Sequence, residues 1–154
     1  MSTFFSAFNV TRQDVLICPI RVVPRLQDLS PSEVTDLFLL VQHVGTVLER
    51  AYSAEAMTIS CQDGKTAGQS VPHVHIHLIP RKPTDFPPGE NDRIYPLVES
   101  SERALGGEMT MAAAAVGEGE VLRVPRDEDR RVRSEEEMER EAKWLAGFFE
   151  GREG

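Results

Sequence analysis

Three of the chain's four histidines stand at alternate positions, His73, His75 and His77, within Val71-Pro72-His73-Val74-His75-Ile76-His77-Leu78-Ile79-Pro80. Imidazole titrates near pH 6.5, so at neutral pH it offers a nitrogen lone pair able to attack an electrophile or hold a metal. Val74, Ile76 and Leu78 between them give the period of a β-strand, whose successive side chains point to opposite faces. On such a strand the three rings share one face, about 6.5 to 7 Å apart, and the aliphatic set lines the other. Pro80 lacks a backbone N–H and is expected to end the strand.

Three readings suit this row. One is a solvated strand face that happens to be rich in histidine. A second is a zinc-type site; against it, nitrogens at i, i+2 and i+4 of a flat strand converge poorly on one tetrahedral ion. No Cys, Asp or Glu lies in the strand to complete such a site, and no resident metal is expected. The third is nucleophilic catalysis, in which the central imidazole attacks while its neighbours orient it and hold the anion.

The elements that must position the row can be read from local signals. Asp14 to Ile20 has the pattern of a strand, stopped by Pro24 and Arg25. Ser30, Pro31 and Glu33 are an N-cap, a first-turn proline and the far end of a capping box. Val34, Leu37, Phe38, Val41, Val44, Leu48 and Tyr52 then form the apolar stripe of a long helix, with His43 off the stripe and exposed. Ala56 to Cys61 reads as a second strand, closed by the turn Gln62-Asp63-Gly64. Antiparallel pairing with the histidine strand would bring Gln62 and the Gly68–Val71 backbone to the mouth of the histidine face. Gly68 permits close backbone approach, and N–H groups beside it suit anionic oxygens. Residues 83–90 are proline-rich and irregular. Residues 99–133 hold few periodic apolar positions and read as a mobile insertion, with Tyr95 at its entrance as a half-buried aromatic. Ser134 and Glu137 restart order with another capping box. Met138, Ala142, Leu145 and Phe149 are the inner stripe of a closing helix, with Trp144 beside it, and this helix is expected to dock on the sheet or on a second subunit. The domain reading is a core over 1–98, an insertion over 99–133 and a closing helix of the same domain over 134–150.

A chain of 154 residues, 40% hydrophobic and 27% charged, suits one α+β domain with a real core. Its net charge of −8 argues against a nucleic-acid partner. Cys18 and Cys61 lack metal or redox spacing and read as free thiols of a reducing compartment. The longest apolar runs fall far short of the roughly 20 residues needed to cross a bilayer, so no membrane partner is expected. With no signal-like start, the expected location is the cytoplasm, with the nucleus as a second one.

The string His73-Val74-His75-Ile76-His77-Leu78-Ile79 resembles the pattern that names the histidine triad (HIT) proteins. Its flanks, Gln62-Asp63-Gly64, Ala67-Gly68-Gln69-Ser70-Val71 and Pro80-Arg81-Lys82, resemble the fragile histidine triad branch, the dinucleoside polyphosphate hydrolases. Arg25-Leu26-Gln27-Asp28-Leu29, Asn91-Asp92 with Ile94-Tyr95, and Arg133-Ser134-Glu135-Glu136-Glu137-Met138 extend the match. The resemblance implies an α+β, HIT-like antiparallel sheet with one long helix packed on it and a C-terminal helix, and puts Tyr95 at the base of a flexible loop reached by substrate or by a kinase. It also implies hydrolysis of diadenosine triphosphate to AMP and ADP through a nucleotidyl-histidine. In that scheme His75 is the nucleophile, His77 a donor to the phosphate oxygens and His73 an orienter. Gln62, Gly68, Gln69, Ser70, Val71 and His77 contact the phosphate chain, a divalent cation (Mg or Mn) arrives with the substrate, and the protein is a homodimer. Alternatives on the same site are a nucleoside phosphoramidate or adenylate hydrolase, and a nucleotide-binding signalling protein with little turnover. The departure lies in residues 1–14. The family has there a hairpin with a ribose-holding asparagine and a Pro-Gly-His turn, whereas this chain reads Arg12-Gln13-Asp14. The expectation is an exposed sheet edge, at most one short strand, and weak hold on the nucleoside.

Overall fold

Ser30 starts the longest element, α1, Pro31–Tyr52. Its hydroxyl accepts from the Glu33 N–H, and the Glu33 carboxylate accepts from the Ser30 N–H, so both ends of the capping box are made. The helix ends at Ser53 in the left-handed region, φ 51°. Leu37, Val41, Val44 and Leu48 are its buried stripe. Phe38, expected in that stripe, is 47% exposed; one residue round from Leu37 is a turn of about 100°, which leaves it at the rim.

The computed structural model describes residues 3–7, 14–114 and 135–150. Four strands, β1 Thr3–Ala7, β2 Val15–Pro19, β3 Ala56–Ser60 and β4 Ile76–Arg81, form one antiparallel sheet in the order β1-β2-β4-β3. With its helices this is an α+β fold. The pairing Leu16↔His77 sets which side chains share a face. Val15, Ile17, Val74, Ile76 and Leu78 point to α1 and form the main core with Leu37, Val41, Val44 and Leu48. Leu16, His77 and Ile79 point the other way, where α2, Ile94–Ala114, covers them.

Five expectations change. The sheet edge is not bare, because β1 pairs with β2 from Thr3↔Pro19 to Ala7↔Val15. The histidine strand begins at Ile76, so His73 and His75 lie in the segment leading into it. Pro80 stays inside β4, paired opposite Met57. Among the described residues the β2 ladder reaches no further than Leu78 and Pro80 is paired on the β3 side, where the strand tolerates a missing N–H. Residues 99–114, read as an insertion, belong to α2, which runs across the expected boundary at 98; the rest of that insertion, with Ser134, lies outside the described residues. Finally, α3, Glu135–Glu150, docks on α1 rather than on the sheet. Leu145 enters the main core, Tyr52 Oη donates to Glu141 Oε1 at 2.7 Å, and Arg50 donates to the Phe148 carbonyl at 2.7 Å. Trp144 packs edge-on against Tyr52, while Ala142, expected inside, is exposed. No described helix is long and apolar enough to cross a membrane.

Candidate active site

The loop before the histidines is fixed before the rings are. Asp63 accepts from Arg25 Nε and Nη2, both at 3.1 Å, and from the Leu26 N–H at 2.8 Å. The Arg25 contact holds the Asp63 carboxyl below its ordinary range. A short 3-10 turn, Lys65–Ala67, then closes on Gly68, whose φ of 94° suits glycine alone. Gln69 was expected to touch phosphate, yet its amide is spent on the loop. Its Oε1 accepts from the Gly64 N–H at 2.8 Å, and its Nε2 donates to the Pro24 and His73 carbonyls at 2.9 and 3.2 Å. Among the described residues Gln62 Oε1 is buried and has no hydrogen-bond partner, and the Val71 side chain packs with Leu16 and Leu105 while its carbonyl accepts from the His73 N–H at 2.8 Å. Among the expected loop contacts, Ser70 is the one whose donors both engage an anion.

The three histidines have three environments. His73 Nδ1 faces the Val23 backbone, 3.3 Å from its N–H. It orients its neighbour with its main chain instead of its ring: the His73 carbonyl accepts from His75 Nδ1–H at 2.8 Å. That bond places the His75 proton on Nδ1 and turns Nε2 toward the site. His77 is fully buried, with its ring 5.5 Å from that of His75. Its Nδ1–H donates to Asp14 Oδ2 at 2.9 Å.

Asp14 and Glu102 complete the site, and sequence reasoning singled out neither. Because Leu16 pairs with His77, Asp14 lies two residues away on the same face, a diagonal neighbour. Glu102 comes from α2, where it is buried next to Ser101, within the stripe Ile94, Val98 and Leu105. An acid at a core-facing helical position was the available signal. Its Oε2 lies 2.7 Å from His75 Nε2 and 3.2 Å from His77 Nε2. Its Oε1 accepts from the Ser70 N–H at 2.8 Å and from Ser70 Oγ at 3.2 Å, and that hydroxyl also bonds the Glu102 carbonyl. His75, His77 and Glu102 carry ligand atoms within 4.8 Å of one another, a spacing a divalent ion could bridge. Here those atoms are joined by hydrogen bonds.

Burial alone would strip the proton from His77, but hydrogen bonds to Asp14 and Glu102, with their charges, outweigh it and raise its pKa to about 9. Burial raises the Asp14 carboxyl against the opposing pull of His77. Burial likewise works to raise Glu102, but hydrogen bonds from His75, His77 and the Ser70 N–H hold it well below the usual carboxylate range. His77 therefore keeps its proton between the Asp14 and Glu102 carboxyl groups. A pH test follows. His77 binds its proton more tightly folded than unfolded, so its contribution to stability is fully present below about pH 6.5 and is lost as pH rises through about 9. Asp14→Asn should flatten this alkaline fall, read as thermal midpoint against pH. An unchanged slope would show that Asp14 does not hold the proton.

Comparison with known proteins agrees with this geometry. The HIT domain family model matches residues 2–84, a span that includes Asp14 and the histidine row and ends before α2. The chain is 48% identical over 141 residues to the bis(5'-nucleosyl)-tetraphosphatase [asymmetrical] of Schizosaccharomyces pombe, covering 88% of this chain and 76% of that one. It is 40% identical over 136 residues to the bis(5'-adenosyl)-triphosphatase of Dictyostelium discoideum, covering 88% and 71%. Among solved structures, the NitFhit protein of Caenorhabditis elegans superposes with a TM-score of 0.52 at 43% identity, over 67% of this chain and 25% of that one. The chain belongs to the HIT domain family.

Proposed function

We propose that the chain hydrolyses dinucleoside polyphosphates, diadenosine triphosphate to AMP and ADP among them, through a nucleotide bonded transiently to His75. The observation that carries this reading is one anion held by the Ser70 N–H and hydroxyl and by His77 Nε2, with His75 Nε2 2.7 Å from it. The Glu102 carboxylate oxygens stand in for two oxygens on the reacting phosphorus. With phosphate in their place, His75 Nε2 faces the phosphorus while its other nitrogen is held by the His73 carbonyl. A P–N bond forms as the P–O bond to the leaving nucleoside phosphate breaks, and His77 gives its Nε2 proton to the leaving oxygen. Water then attacks phosphorus, the P–N bond breaks, and His77 recovers a proton from the water. Two displacements replace one direct attack by water on a crowded, anionic centre. Gln69 supports the His73 carbonyl that orients the nucleophile.

The names of the two relatives point to the same class and differ in chain length, tetraphosphate against triphosphate. A site that grips a single phosphate fits either. A divalent cation, Mg or Mn, is proposed to arrive on the polyphosphate, since the nearby carboxylates of Asp14 and Glu102 already pair with imidazoles. A homodimer, which the family resemblance implies, placed in the cytoplasm with a nuclear pool on the grounds of the sequence's first residues and its unpaired cysteines, completes the proposal; light scattering and imaging test the two parts.

One observation favours the second reading, a nucleotide-binding signalling protein: the chain's own carboxylate fills the anion site. Turnover in water enriched in oxygen-18 separates the readings. A hydrolase working through His75 releases AMP carrying the label and unlabelled ADP. Tight retention of nucleotide with negligible turnover would favour the binder, and label in ADP would refute attack at the α-phosphorus.

A further inference from the structure

Glu102 is 1% exposed, on a helix whose first turns are anchored on both sides of it. Ile94 and Val98 pack on Ile79 of β4, with Phe86 alongside. Beyond Glu102, Leu105 packs on Leu16 of β2 and Val71 of the loop. Between these anchors the carboxylate takes hydrogen bonds from the Ser70 N–H and hydroxyl and lies against both imidazole Nε2 atoms. These are charge-assisted contacts in a buried place, the strong class of hydrogen bond. They are also the donors that the proposed reaction assigns to substrate. One oxygen, Oε2, sits 2.7 Å from the proposed nucleophile, within hydrogen-bond reach and across its line of attack.

We propose that Glu102 is an internal phosphate mimic that closes the site, and that residues 94–105 of α2 are a strap that must lift before substrate enters. The proposal rests on the hydrolase reading for the identity of the anion it excludes. Closure does not change the chemistry; it lowers the fraction of molecules able to bind. The apparent dissociation constant is the intrinsic one divided by that fraction. Every phosphate-bearing ligand is therefore weakened by the same factor, and loosening the strap returns that factor to each of them.

The strap makes an unusual prediction for amide exchange. A ligand that merely fills a site protects the segments around it, whereas a ligand that displaces Glu102 should leave the 94–105 amides exchanging faster. Leu105→Ala loosens the strap without touching the donors, so it serves where Glu102→Ala perturbs folding.

The experiment measures AMP binding by calorimetry and diadenosine triphosphate turnover for the parent, Glu102→Ala and Leu105→Ala, with hydrogen exchange of the parent with and without AMP. Both variants should bind AMP more tightly, on the order of tenfold for Glu102→Ala, and show a lower KM. Exchange over 94–105 should rise when AMP is added to the parent. Unchanged or weaker AMP binding in both variants, or protection of 94–105 by AMP, would overturn the strap. If AMP binding tightens while no protein turns over substrate, the strap stands and the hydrolase reading fails. If the parent turns over substrate and neither affinity nor KM moves, the reverse holds.

Discussion

Replacing His75 by Asn is expected to abolish turnover while leaving nucleotide binding close to that of the parent. Asn keeps a polar side chain of similar size but has no basic nitrogen to form a bond to phosphorus. The amide can still occupy the space between the His73 carbonyl and the anion site, so the Ser70 and His77 donors remain in place. Steady-state turnover and AMP binding, measured on one preparation, check both halves. Residual activity within about tenfold of the parent would remove His75 from the nucleophile's role.

Replacing His77 by Ala is expected to cost about two to three orders of magnitude in kcat, the size usual for one donor to developing negative charge. The effect is smaller than at His75 because the attacking lone pair survives. It should also depend on the leaving group. His77 is held at Nδ1 by Asp14 at 2.9 Å, and its Nε2 supplies a proton as the P–O bond breaks. A substrate whose leaving group is already stable as an anion needs that proton less, so its loss in His77→Ala should be smaller. The Asn variant at 75 should fail equally with every leaving group. Equal losses at both positions, with no dependence on the leaving group, would contradict the division of roles.

What the sequence revealed and what it hid divides by distance along the chain. The capping box of α1 spans four residues, and both of its hydrogen bonds are written in Ser30 and Glu33. Alternation over residues 74–78 placed the aliphatic side chains against α1 and the rings on the other face. Contacts across long separations were not legible. Asp14 meets His77 only because β2 and β4 pair in one register, and a one-residue slip would turn it away. Glu102 was read as part of a polar insertion, since an acid beside Ser101 and two glycines interrupts an apolar stripe. Burial of that acid makes sense only once imidazoles from another strand face it. Tyr95, half-buried when read from the residues alone and a reachable loop base when read from the resemblance, is 61% exposed on the first turn of α2, because Ile94 and Val98 take the inward positions. Gln69 shows a third kind of miss. A polar residue beside a catalytic row suggests a ligand contact, but side-chain amides serve equally well to tie one loop to another.

The central claim is that a nucleotide becomes covalently attached to His75. The most direct measurement mixes the protein briefly with substrate labelled in the adenosine moiety, stops it in alkaline denaturant and looks for label retained on the chain. The account predicts retained AMP on the parent, released by acid as a P–N bond requires and located on the peptide bearing His75. It predicts none on His75→Asn. Turnover by the parent with no retained label at any mixing time, or equal label on His75→Asn, would contradict it.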